Sequence, residues 1–222
     1  MSSLVLAIAL LVAGDLPAGA RLYGPMLAAT QAQLWPSHTM PETLAGQVEQ
    51  ETCASLSSTR CWNPRTELKT SREYGFGLGQ LTVTSRFNAF EEMRAADPVL
   101  RGWSWENRYD PALQLRALVL KDRQSYDRLL ATATERDRLA MTYAAYNGGL
   151  GGVLSDRRIC SGTRGCDPGR WFDHVERTSL KARTVAAGYG QSFFDVNRGY
   201  VRNVMLVRSA KYAILFRPGA RS

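Results

Sequence analysis

Histidine is scarce: two occur in 222 residues, and neither stands in an HExxH or other paired-ligand spacing. Zinc-hydrolase chemistry therefore has no ligand set, and neither a metal nor a cofactor is expected. His174 reads as a structural or exposed residue. Cysteine is sparse as well, with four in two local pairs, Cys53 with Cys61 and Cys160 with Cys166. Neither pair has the CxxC spacing of zinc or thioredoxin sites. Two short-range disulfides fit an oxidising compartment, and four free buried thiols are the alternative.

No run of five or more Lys or Arg occurs, and no zinc-finger spacing, so nucleic acid is not an expected partner. The net charge is nevertheless +8, from 28 Lys and Arg against 20 Asp and Glu. Scattered basic residues of this kind suit an anionic polymer such as the cell wall. Internal repeats and low-complexity tracts are also missing, which excludes a solenoid or a linker protein.

No apolar run is long enough to span a membrane. Leu4 to Val12 is unbroken and apolar, and Ala18-Gly19-Ala20 follows with the small residues that a signal peptidase cuts. Met1 to Ser3 lacks the usual basic residue, yet residues 1–20 read as a leader or N-terminal apolar segment and export to the periplasm or exterior is expected. Residues 21–222 are then expected to form one domain. With 45% hydrophobic, 22% charged and 9% aromatic residues, the composition is that of a soluble globular protein.

Helical periodicity dominates what is present. From Ala18 to Trp35, Leu22, Met26, Leu27 and Leu34 recur at near-helical spacing, and Pro36 ends the segment. A second helix starts after Met40, with Pro41 in its first turn, and runs through Glu51. At ~100° per residue, Leu44, Val48 and Glu51 share one face and Glu49 points away from it. A carboxylate on an apolar face is kept protonated more readily than one in water. Cys53 to Tyr74 is polar and irregular, and Gly75, Gly77 and Gly79 suggest a tight, open loop where backbone approaches a ligand. Pro111 to Leu120, Arg138 to Tyr146 and Tyr200 to Leu215 read as helices, with Gly148 to Tyr189 glycine-rich and basic between the last two.

Three ordered segments carry the chemistry: Gln50-Glu51-Thr52, Tyr74-Gly75-Phe76-Gly77-Leu78-Gly79-Gln80, and Ala144-Ala145-Tyr146-Asn147-Gly148-Gly149. Together with Ser71, Asn63-Pro64 and Tyr200-Val201-Arg202-Asn203-Val204, they resemble the soluble lytic transglycosylase domain family over roughly Leu44 to Tyr212. Thr52 stands where the family has Ser, Tyr74-Gly75 where it has Gly-Ala, and Gly79 where it has Met. The stretch between Glu51 and Gln80 is longer than usual and bears the first cysteine pair. Singly, each segment has a bland reading: Glu51 as a salt-bridged helix residue, Gln80 as a loop polar group, Tyr146 and Tyr200 as packed aromatics, Asn147 as a helix C-cap. Their joint order is what points to a family.

The resemblance implies a mainly α, lysozyme-like helical domain with a substrate groove and irregular glycine-rich loops. It implies Glu51 as the single catalytic acid and base, with Gln80, Tyr146, Asn147, Tyr200 and Ser71 binding peptidoglycan glycan strands. The expected reaction cleaves the MurNAc-GlcNAc bond with formation of a 1,6-anhydro sugar. Two other functions stay open. A goose-type lysozyme would hydrolyse and would need a second carboxylate, for which Glu67, Glu73 and Asp110 are available. A basic, non-catalytic binding module for cell wall or nucleic acid is the other. Trp62, Trp103, Trp105 and Trp171 are candidates for sugar stacking that the sequence does not place. Wall turnover, a secretion or conjugation apparatus, and a phage entering the cell are all compatible roles.

Overall fold

The computed structural model describes residues 16–71, 73–181, 183–185 and 190–217, and they are mainly helical. The apolar stretch Leu4 to Val12 lies outside the described residues. Ala18-Gly19-Ala20 lies inside them, in the first turn of helix α1 (Ala18–Leu34). A Cβ on Gly19 would stand 2.6 Å from the Trp62 Cβ and 2.7 Å from its carbonyl oxygen, so this turn rests directly on the Trp62 backbone. Helix α1 stops one residue short of the expected Trp35, whose backbone at φ −144°, ψ 61° has left the helical region that a following proline disfavours. Its buried face also differs from the expected stripe. Leu22 and Met26 are exposed, while Ala20, Gly24, Leu27 and Gln31 are buried. The reason is close approach: a Cβ on Gly24 would meet Leu215 Cδ1 at 2.6 Å, so the small residues mark the contact side.

Helix α2 (Glu42–Thr52) is buried at every residue from Thr43 to Glu49. It packs against α1 and against a 3₁₀ segment, Ala210–Phe216. A wheel with a single apolar face therefore misreads it, because two sides of the helix are covered. Glu49, expected to point away from the core, is 2% exposed, whereas Glu51 is half-buried.

The segment expected to be irregular contains a small antiparallel sheet. Strand β1 (Glu67–Lys69) pairs with β2 (Tyr74–Phe76), placing Glu67 opposite Phe76, and β2 pairs with β3 (Leu81–Val83), placing Phe76 opposite Leu81. Strands of three residues are too short to show an alternating pattern. The glycine segment is the β2–β3 turn and is buried from Gly75 to Gly79 rather than open. Helix α3 (Ala89–Ala96), absent from the expected elements, follows with Asn88 Oδ1 capping the Glu91 N–H at 3.1 Å. It brings Phe90 and Met93 onto Phe76, Leu81, Leu100 and Trp103, the Phe90 and Trp103 rings meeting edge to face at 4.8 Å.

Helix α4 (Pro111–Arg128) runs beyond the expected Leu120. The chain divides into two compact units, one formed up to Leu120 together with the segment from Val207, the other by Lys121–Leu206. In the second, helix α5 (Glu135–Gly148) packs on helix α6 (Leu150–Ser161) and on helix α7 (Phe193–Arg202). Gly149, at φ +80°, ends α5 and caps the start of α6. The first part of the glycine-rich, basic stretch from Gly148 to Tyr189 is thus helical. Poor helix formers at Gly151 and Gly152 are offset by burial of Val153 and Cys160 one face along. After α7 the chain continues through a π-helical segment, Asn203–Arg208, where one regular helix was expected.

Both cysteine pairs are disulfides, Cys53–Cys61 with Cα atoms 4.0 Å apart and Cys160–Cys166 with 5.2 Å. Among the described residues no helix is long and apolar enough to cross a membrane.

Candidate active site

Glu51 sits in the last turn of α2, and that turn is held from outside the helix. Thr52 Oγ1 donates to the Val48 carbonyl at 2.6 Å and accepts the Trp62 N–H at 2.9 Å. The Cys53–Cys61 bridge closes the loop between those two anchors. Threonine carries the same hydroxyl as the serine expected at this position by the resemblance, and here that hydroxyl holds the helix end to Trp62. The turn at Asn63-Pro64 is an Asx turn, with Asn63 Oδ1 accepting the Arg65 N–H at 2.9 Å and Nδ2 donating to Thr59 O at 3.1 Å.

Gln80 occupies the left-handed region at φ +43°. Its Nε2 donates to the carbonyls of Thr66 and Gly77, both at 2.9 Å. Both amide hydrogens are therefore committed to backbone carbonyls. Ser71 is exposed in the β1–β2 connection. Gln114 had no signal in the sequence and proves central here. It is 1% exposed, accepts the Leu78 N–H at 2.9 Å, and donates to Pro64 O and Arg108 O at 2.9 Å each.

Of the carboxylates that a hydrolase would draw on, Asp110 is engaged as a helix cap, its Oδ1 accepting from Ala112 N–H at 2.8 Å and Leu113 N–H at 3.2 Å. Glu67 receives the hydroxyls of Tyr109 and Tyr74 and lies 3.8 Å from Arg108. The Tyr109 and Tyr74 hydrogen bonds hold its carboxyl below the usual range. Glu73 lies just before β2, half-buried. Trp62, Trp103 and Trp171 are core residues, and Trp105 is 42% exposed with the Arg108 guanidinium 4.7 Å above its ring. His174 accepts the Asp167 N–H on Nδ1 at 3.0 Å, a structural use. Among the described residues, no three His, Cys, Asp or Glu side chains gather as a metal ion would require.

In the second unit, Tyr146 and Asn147 occupy the end of α5 and Tyr200 lies on α7, which packs on it. Tyr146 is half-buried with Lys121 Nζ 5.8 Å from its ring centre, Asn147 is exposed, and Tyr200 is 5% exposed. Left-handed geometry falls on Gly149, so Asn147 is not the residue that turns the chain out of the helix. Its Oδ1 instead accepts a hydrogen bond from Asn197 Nδ2 at 3.0 Å. Asn197, like Gln114, was missed, because a polar residue in an amphipathic helix reads as solvent-facing. The π-helical segment that begins three residues after Tyr200, at Asn203, is of the kind found often at functional sites.

No protein-family model matches the chain. A stretch of 110 residues, 48% of this chain, is 28% identical to membrane-bound lytic murein transglycosylase F of Vibrio cholerae. A stretch of the same length is 29% identical to the protein of that name from Vibrio campbellii. These stretches cover 21% and 20% of the two relatives, so the chain is similar to about a fifth of the length of each.

Proposed function

We propose that this chain is a peptidoglycan lytic transglycosylase in which Glu51 is both general acid and general base. The similarity to two proteins named lytic murein transglycosylase carries the reading, and the pinned helix end that presents Glu51 supports it. Protonated Glu51 gives its proton to the glycosidic oxygen as the MurNAc C1–O bond breaks and the sugar becomes oxocarbenium-like. The resulting carboxylate then takes the proton of the muramic C6 hydroxyl, and O6 bonds to C1. The product is 1,6-anhydro-MurNAc, no water is consumed, and Glu51 ends protonated as it began. Tyr146, Asn147, Tyr200, Gln80 and Ser71 are assigned to glycan binding. Two disulfides support an extracytoplasmic setting, periplasmic or secreted.

Mass spectrometry of murein digested with the intact chain tests this. Anhydro-muropeptides are expected, together with their loss in Glu51→Gln while circular dichroism stays unchanged. Products with reducing ends would replace this reading by hydrolysis, and release by Glu51→Gln at the normal rate would remove Glu51 from the chemistry.

A further inference from the structure

We propose that Asn197 and Arg198 are positioning residues that fix the polarity of the Asn147 amide, so that Asn147 meets a bound glycan as a hydrogen-bond donor through Nδ2. The partner would be an acceptor oxygen, of which the N-acetyl carbonyls of murein are the chemically apt kind. This inference rests on the murein reading above.

The two ends of an asparagine amide differ in one respect, since the oxygen only accepts and the nitrogen only donates. Here the chain of partners leaves no choice at either residue. Arg198 Nη1 lies 2.8 Å from Asn197 Oδ1, and a guanidinium has no acceptor, so that end of Asn197 is its oxygen. The other end faces the carbonyl of Ala144 at 3.0 Å, which only accepts, so it is the nitrogen. The same nitrogen donates to Asn147 at 3.0 Å, which makes the inward end of Asn147 its oxygen. The Asn147 NH₂ is left on the outward side of an exposed residue.

Arg198 is itself immobilised. Its Nε donates to Glu176 O at 2.8 Å, and its Nη2 donates to Asp156 Oδ2 and Thr178 O at 2.7 Å each, with Val175 O at 3.3 Å. Asn197 and Arg198 are 1% and 7% exposed, so water does not substitute for these contacts. The glycine after Asn147 belongs to the same device, because a Cβ on Gly148 would stand 2.8 Å from Asn197 Nδ2. Only glycine there lets the buried amide reach Asn147.

Asn197→Asp keeps the volume but offers only acceptors, so Asn147 must turn over and show its oxygen to the ligand. Asn147→Asp presents an oxygen directly and leaves Asn197 in place. We expect each variant of the full chain to lower kcat/KM on murein by at least about tenfold, chiefly through KM, with Asn197→Asp causing no further loss in an Asn147→Ala background. Equal losses from Asn197→Asp in both backgrounds, or none in the first, would overturn the relay. Nuclear magnetic resonance of the ¹⁵N-labelled chain reads the orientation without substrate. The Asn197 side-chain amide should exchange slowly and that of Asn147 rapidly, and Asn197→Asp should slow the latter. Rapid exchange at both would refute the geometry even if murein is cleaved. A chain inert on murein that keeps the exchange pattern would overturn the glycan-binding part and, with it, the murein reading.

Discussion

The Tyr212 hydroxyl donates to the Glu49 carboxylate at 2.5 Å and accepts the Trp62 indole N–H at 3.1 Å. Arg208 Nη1 at 2.8 Å and Lys211 Nζ at 2.9 Å complete the surroundings of the same carboxylate, and Arg208 Nε also donates to Gln50 Oε1 at 2.8 Å. The C-terminal segment is thereby fastened to α2 two residues before Glu51. Removing the charge leaves two cations with no counter-charge at that point, but they keep 23% and 27% side-chain exposure and recover some hydration. Glu49→Gln is therefore expected to cost about 2–3 kcal/mol, below the full penalty for breaking a buried pair. Tyr212→Phe should cost about 1–3 kcal/mol, since it strips a hydrogen bond from a buried charge and orphans the indole N–H. Urea unfolding measures both, and a Glu49→Gln loss below about 0.5 kcal/mol would show that the cluster contributes nothing net.

His38 gives the fold a defined acid sensitivity. It is 5% exposed, its Nδ1 accepts the Met40 N–H at 3.2 Å, and its ring lies 4.1 Å from that of Trp35. Burial lowers its pKa from 6.5 to about 3. Below pH 6.5 the unfolded chain binds a proton that the folded chain refuses, so stability present above 6.5 is lost as pH falls toward 3. The slope approaches ~1.4 kcal/mol per pH unit. Asp97, held low chiefly by its hydrogen bonds from Arg116, starts to lose stability only near and below its ordinary 3.8, so pH 4.5 to 6.5 isolates His38 from it. His38→Asn should flatten the dependence of unfolding free energy on pH in that interval. An unchanged slope would place the proton uptake on another group.

Gly77 and Gln114 occupy one volume. At φ +78° a side chain is already strained by about 1–2 kcal/mol, and a Cβ there would lie 2.5–2.7 Å from the Gln114 amide. Displacing that amide also costs Pro64 O, Arg108 O and Leu78 N–H their partner. Gly77→Ala should lose on the order of 3 kcal/mol in all. The clash and the lost bonds share one cause, so the double variant Gly77→Ala with Gln114→Ala should lose clearly less than the two single losses added. Strict additivity in denaturant titrations would deny the coupling.

Helices α1, α2, α4 and α5 were legible because proline, glycine and a 3.6-residue period are local signals. Their ends moved where the signal was missing, as at Arg128, which has no glycine or proline beside it. Glu49 was unreadable for another reason. Its partners Arg208, Lys211 and Tyr212 lie 159 to 163 positions away, and a wheel drawn for one helix holds no information on what covers its other side. Their own spacing of three and four residues, which sets a phenol and two cations on one helical face, was the available hint. Asn197 and Gln114 failed alike: a buried polar residue is satisfied by partners that only the fold supplies. The small sheet escaped because three-residue strands carry no period.

The two disulfides separate stability from activity. They close loops of similar size, with sequence separations of 8 and 6, and chain entropy assigns each about 2.5 kcal/mol. Cys53 nonetheless begins two residues after Glu51, its N–H accepted by Glu49 O at 2.9 Å, while Trp62, next to Cys61, donates to Thr52. Without the bridge the Glu49 and Gln50 contacts still hold the start of the last turn of α2, but at Thr52 itself only the hydroxyl contacts to Val48 and Trp62 tie it to the following loop, and helix ends fray when less firmly pinned. Cys160–Cys166 joins the last turn of α6 to the loop that follows it and holds no proposed catalytic group. The paired serine variants should therefore lose similar free energy in urea, whereas at 25 °C, with both still folded, kcat on murein should fall about tenfold or more only for Cys53→Ser with Cys61→Ser. Equal falls in kcat would mean that the first bridge serves the fold alone and that Glu51 is held without it.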